Sequence, residues 1–102
     1  MYEPFRKRTM RFRGVAVADL LAIAGASPTA QQVYTHALDD YHVDFTRTEL
    51  EQAGAVLATR ADGRAIPLEQ GGPARIVFSG KTRLSANSDN WIWSVDWIRI
   101  RP

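Results

Sequence analysis

Two hydrophobic periodicities alternate along the chain, and they predict different elements. Apolar residues at helical spacing in Val15–Ala24 predict a short buried helix, because positions i, i+3 and i+4 share one helix face. Gly25 lies where a C-terminal cap belongs, and Pro28 prevents the helix from resuming. The segment Thr46-Arg-Thr-Glu49 fits a capping box, so a second short helix is predicted there, ending at Gly54.

The other apolar residues alternate with polar ones, as in half-buried strands. Asp39-Asp40 and Asp62-Gly63 are turn signals, and each is predicted to join two strands into a hairpin. The segment Ser79–Asn90 is polar and has no periodicity, and loops of this kind often carry function. The predicted strands are Thr9–Arg13, Gln32–Leu38, Tyr41–Phe45, Ala55–Arg60, Arg64–Pro67, Ala74–Phe78 and Trp91–Arg101, the last with a bulge or twist near Trp97-Ile98.

This order of elements predicts an α+β domain: a compact, mixed, mostly antiparallel β-sheet with two short helices. The 102 residues suit one domain spanning 1–102, with an N-terminally truncated domain as the alternative. Hydrophobic residues make up 45% and charged residues 24%, which excludes a disordered chain and an integral membrane protein. The chain has no cysteine, which excludes disulfides, thiolate metal sites and a cysteine nucleophile. No secretory signal is recognisable, so we expect a cytoplasmic location for the chain as given, or a periplasmic one if a leader was removed.

Basic residues are concentrated at the start of the chain. Residues 1–13 hold five basic side chains and one carboxylate. The alternation Arg11-Phe12-Arg13 favours an edge strand with arginines facing water over an anion-binding segment. No nucleic-acid motif accompanies these charges, so no nucleic-acid partner is predicted.

Candidate ligand-binding residues are basic side chains around the aperiodic segment. Arg60, Arg75, Lys81 and Arg83 could form a basic rim around a pocket for a small anionic ligand, and Trp91 could line that pocket. His36 and His42, with turn aspartates beside them, invite a metal interpretation, but ordinary hairpins often carry such residues. No catalytic residue and no metal ligand are therefore predicted.

Several short motifs follow one another in a recognisable order. They are Phe12–Val15, Ala18–Gly25, Ala37–Tyr41, Leu57–Gly63, Gly71–Val77 and Trp91–Val95, followed by Ile98 and Ile100. In this order the motifs resemble the oxidoreductase molybdopterin-binding domain, which carries the pterin in sulfite oxidase-like enzymes. The resemblance implies that family's fold and makes molybdopterin the implied cofactor.

Two departures separate the chain from catalytic members of that family. Those members hold molybdenum through a cysteine thiolate upstream of the matched part, and this chain has no cysteine. Family members also tend to carry a lysine before the tryptophan of the last strand, where this chain has Asp96 before Trp97. The resemblance is to a small branch of compact relatives.

Three interpretations of function follow. The first is a non-catalytic module that binds a small anionic ligand or a partner protein, with no cofactor expected. The second is a molybdopterin-dependent oxidoreductase of the sulfite oxidase type, or a fragment of one. The third is a homodimer that forms through an exposed N-terminal edge strand.

Overall fold

The computed structural model describes residues 1–101, which form two main sheets, a small N-terminal hairpin and three short α-helices. The helices are α1 (Val17–Ile23), α2 (Arg47–Gln52) and α3 (Arg83–Ala86). The strands are β1 (Tyr2–Glu3), β2 (Arg8–Thr9), β3 (Phe12–Ala16), β4 (Gln32–Ala37), β5 (His42–Thr46), β6 (Ala55–Ala61), β7 (Arg64–Ala65), β8 (Arg75–Phe78) and β9 (Val95–Arg101).

The first sheet is organised around β6. Strand β3 pairs with one edge of β6, while β7 and β8 pair antiparallel with different parts of it. The β3–β6 register shifts between Arg13 and Gly14. At Gly14 an added Cβ would lie 1.9 Å from the Leu57 carbonyl oxygen, so only glycine allows the two backbones to approach this closely.

The second sheet has the antiparallel order β5-β4-β9. Because strand side chains alternate between faces, β4 buries Val33 and Thr35 in the core and directs Tyr34 and His36 outward. A bulge places Asp96 between the residues of β9 that pair with His36 and Ala37.

The core lies between these sheets and the helices. All four residues of β8 are buried, and the Phe78 ring meets Trp91 edge-on at 5.6 Å. Helix α1 buries Val17 and Leu21, and α2 buries Leu50. Full burial of such a side chain contributes about 1.5–3 kcal/mol, so this shared core is the main source of stability.

The predicted α+β class and the capping box are confirmed. Thr46 accepts a hydrogen bond from the Glu49 amide, and the Glu49 carboxylate accepts one from the Thr46 amide. No helix within residues 1–101 is both long enough and apolar enough to cross a membrane.

Three of the predicted segments differ clearly from the observed elements. The segment Thr9–Arg13 is divided between β2 and β3. The last strand begins at Val95, because Ser94 takes φ +52 and the Trp91 indole donates to the Ser85 carbonyl, which turns the chain away from an extended path. The segment predicted as an aperiodic loop contains α3, whose first turn is capped by Thr82.

Candidate functional site

Three arginines line a cleft on the outer face of the first sheet. The β3–β6 register places Arg13 directly opposite Arg60. Arg11 is the residue immediately before β3 begins at Phe12. These three residues and Asp62 border an open cavity of about 720 Å³, which we call the basic cleft. Met1, Thr9, Met10 and Gly63 complete its lining.

Asp62 is the acidic side chain of the basic cleft, and its charge is already engaged. The backbone amide of Arg11 donates to its Oδ1 at 2.9 Å, and Nη2 of Arg8 lies 3.3 Å from its Oδ2. These contacts lower the pKa of Asp62 below its usual value, so the carboxylate stays ionised. By contrast, Arg60 donates from one nitrogen to the neighbouring Thr59 carbonyl and retains further donors for a ligand.

Arg75 lies in the core. It is 2% exposed, and its Nη2 is 3.3 Å from Oε1 of Glu3, which is completely buried. The Glu3 carboxylate also accepts the backbone amides of Phe5 and Arg6 at 2.9 and 2.8 Å. Desolvation lowers the pKa of Arg75, and the charge of Glu3 opposes that shift. Arg75 is therefore placed as a structural ion-pair partner, away from solvent.

The other residues predicted for ligand binding are dispersed. Arg60 borders the basic cleft, Arg83 borders a separate cavity beside Glu49, and Trp91 borders a third. Lys81 is exposed and borders none of these three cavities. The basic rim predicted from the sequence is thus not assembled at one of these cavities, and the ligand-binding roles of its members stay predictions.

The two histidines pair across the β4–β5 hairpin, but the nitrogens of His36 are occupied by carboxylates. Its Nδ1 lies 2.7 Å from Asp96 and its Nε2 lies 3.1 Å from Asp40. The Asp96 hydrogen bond raises the pKa of His36, with Asp40 adding to the effect. Both ring nitrogens of His36 are thus engaged by carboxylates, and no cluster of three or more candidate ligands occurs within residues 1–101.

Sequence reasoning assigned no role to Glu3 and treated Arg11 and Arg13 as an edge facing water. Arg11 precedes β3, yet it and Arg13 do border the same cleft. Their convergence with Arg60 depends on the β3–β6 register, which no local pattern encodes.

The fold is an α+β domain, and the basic cleft brings three arginines together on its surface. A family model, the oxidoreductase molybdopterin binding domain, matches residues 4–99. The chain belongs to this family. It is also similar to the sulfane dehydrogenase SoxCD from Paracoccus pantotrophus, with 27% sequence identity and a TM-score of 0.76. That match covers 92% of this chain and 23% of the SoxCD chain. No curated protein matches.

The cofactor of this family is molybdopterin, so the side chains that could hold its metal or its anionic groups can be examined in this chain. The sequence contains no cysteine, so it supplies no thiolate to molybdenum. His36 is committed to two carboxylates, and Arg75, the buried arginine after Gly71-Gly72-Pro73, is committed to Glu3. These residues do not fit a molybdenum centre, whereas the arginines of the basic cleft fit an anionic group.

Proposed function

We propose that this chain is a non-catalytic member of the molybdopterin-binding domain family and that its basic cleft binds a small anion. Catalytic members of the family hold molybdenum through a cysteine thiolate, and residues 1–102 contain no cysteine. The three arginines supply what an anion needs, since guanidinium groups form charge-assisted, often bidentate hydrogen bonds with phosphate and carboxylate. We therefore assign the predicted binding of a small anionic ligand to the basic cleft.

The observation that carries this proposal is the direct opposition of Arg13 and Arg60 across β3 and β6. Like charges directly opposite each other on neighbouring strands are destabilising. An anion bound between them converts that repulsion into two attractions. The pair Arg13 and Arg60 is therefore more favourable with an anion bound between the two side chains than without one.

Titration calorimetry with inorganic pyrophosphate as the probe tests the proposal. Arg13→Gln and Arg60→Gln should each weaken binding about three- to tenfold, the lower part of the range allowing for solvent screening of exposed groups. Arg101→Gln is the matched control, because it removes the same charge from the end of β9 in the other sheet. Binding that is unchanged in the two cleft variants, or weakened equally in the control, would contradict the proposal.

A second candidate is a molybdopterin-dependent oxidoreductase or a part of one. The family match and the similarity to a sulfane dehydrogenase favour it. The cysteine thiolate that catalytic members of the family supply to the metal would have to come from outside residues 1–102. Native mass spectrometry of protein made in a host that synthesises the cofactor tests this candidate. A molybdopterin-sized increment, lost on denaturation, would support the oxidoreductase, whereas the bare mass would favour the binding module.

The same spectrum tests the edge-strand interpretation. Strand β3 lies at an edge of the first sheet in residues 1–101, since its strand partner there is β6. A mass of twice the chain would support a homodimer, with β3 as the strand to mutate next. A partner protein in place of a small anion stays a prediction.

A further inference from the structure

A second cleft lies between the N-terminal hairpin, the β4–β5 turn and the segment before β9. It has a volume of about 280 Å³, near the lower limit of small-molecule sites. Four aromatic side chains and two carboxylates dominate its lining, and no lysine or arginine lines it. We call it the aromatic cleft, and its defining residues are Phe5, Asp39, Tyr41, Asp89, Trp91 and Trp93.

The aromatic walls are held in place by contacts on their inner sides. The Trp91 indole donates to the Ser85 carbonyl at 2.8 Å, and this side chain is only 5% exposed. The Phe5 ring meets Trp93 edge-on at 5.2 Å. The Phe5 and Tyr41 side chains remain 46% and 43% exposed, so these two rings are accessible to a ligand.

The carboxylates flank Tyr41, which ties the two sides of the cleft together. Its hydroxyl donates to the Asp89 carbonyl at 2.8 Å, and its amide donates to Oδ1 of Asp39 at 3.1 Å. Burial raises the pKa of Tyr41, and the negative charges of Asp89 and Asp39 raise it further. The side chains of Asp39 and Asp89 are the charged groups of the lining, so the lining carries a net negative charge. The nearby cation, Arg75, is buried on the inner side of Phe5 and Trp93, and Glu3 offsets its charge.

We propose that the aromatic cleft binds a small quaternary ammonium compound. A methylated ammonium group has apolar methyls that pack on rings and a charge that the ring faces attract within about 6 Å of their centroids. Two carboxylates without a competing basic side chain in the lining add a long-range attraction. The small volume and the exposed Phe5 and Tyr41 rings suit a ligand of this size. The aromatic cleft is opposite in charge to the basic cleft and shares no lining residue with it. Either binding proposal can therefore fail while the other holds.

The test compares choline with its neutral isostere 3,3-dimethyl-1-butanol, using amide NMR shifts of the full chain. We expect saturable shifts for choline at cleft residues, with a Kd on the order of millimolar, and binding of the isostere weaker by at least about threefold. Equal binding of the two compounds, or no saturable shift with choline, would overturn the proposal.

Two variants and a control locate the effect. Asp89→Asn removes one charge from an exposed position, and Phe5→Leu removes an aromatic face but keeps an apolar side chain. Each should weaken choline binding by about two- to fivefold. Asp44→Asn removes the same charge from the exposed face of β5, outside the aromatic cleft, and should leave choline binding unchanged. A loss in Asp44→Asn equal to that in Asp89→Asn would overturn the proposal, because it would show only a general charge effect.

Discussion

Replacement of Arg75 by methionine should strongly destabilise the fold, because it leaves the Glu3 carboxylate buried without a cation. Both side chains are almost fully removed from water, at 3% and 0% exposure, and they meet at 3.3 Å. The aromatic rings of Phe5, Phe12 and Trp93 surround the guanidinium at 5.9, 5.3 and 5.4 Å from Cζ. No solvent is available there to replace the lost partner.

Removal of one member of a buried ion pair typically costs about 3–5 kcal/mol. A domain of this size has a total stability of about 5–15 kcal/mol, so the change should consume a large part of it. At about 4 °C or more per kcal/mol, the melting temperature should fall by at least about 12 °C. An exposed arginine in the other sheet offers the control: Arg101→Met should change stability by less than about 0.5 kcal/mol.

A double-mutant cycle separates the ion pair from packing. Glu3→Gln removes the charge and keeps one carbonyl oxygen, so only one of the two amides that bond to Oε1 and Oε2, those of Phe5 and Arg6, retains its acceptor. The double variant Glu3→Gln, Arg75→Met has no unpaired buried charge, so its loss should be smaller than the sum of the single losses by about 2 kcal/mol or more. Urea denaturation of the four proteins measures this difference. Losses that add to within about 0.5 kcal/mol would refute the reasoning, because they would show that the two charges do not depend on each other.

Two further predictions concern His36 and Gly71. The folded pKa of His36 is raised, chiefly by Asp96, so its contribution to stability is complete below the unfolded value of about 6.5 and is lost as pH rises through the raised folded value. The urea midpoint of the wild type should therefore exceed that of His36→Gln by the largest amount at acidic pH. A difference between the two midpoints that does not change with pH would contradict this prediction. At Gly71 an alanine Cβ would lie 2.6 Å from Trp93 at φ +95, whereas Gly25, at φ +77, has open space around it. Gly71→Ala should therefore cost about 1–3 kcal/mol more than Gly25→Ala in thermal or urea unfolding, and equal losses would show that Trp93 does not constrain this turn.

The features that were predicted correctly from sequence depend on short stretches of chain. The capping box needs only Thr46 and Glu49, and the turn at Asp62-Gly63 needs only two residues between β6 and β7. Helix α1 follows from four apolar positions and Gly25. In each case the interacting groups are neighbours in sequence, so their chemistry can be recognised without a fold.

The features that were missed depend on distant residues. Glu3 and Arg75 are separated by 72 positions, and nothing in the N-terminal pattern marks Glu3 as buried. The sequence pattern predicts that Trp91 begins an alternating strand, but its indole donates a hydrogen bond to the backbone carbonyl of Ser85 in the preceding segment. The opposition of Arg13 and Arg60 needs the register of two strands. Such contacts form only in the tertiary structure, and hydrophobic periodicity along the sequence cannot predict them.

The N-terminal segment connects these distant features, and this gives it a role that its composition alone conceals. Met1, Thr9 and Met10 form part of the basic cleft, while Phe5 forms part of the aromatic cleft. Between them, Glu3 anchors the segment to the core through Arg75. One buried ion pair therefore positions a wall of each proposed site. Because the amides of Phe5 and Arg6 bond to the same carboxylate, a loss of that anchor should displace the Phe5 ring before it affects Arg60 on the opposite strand.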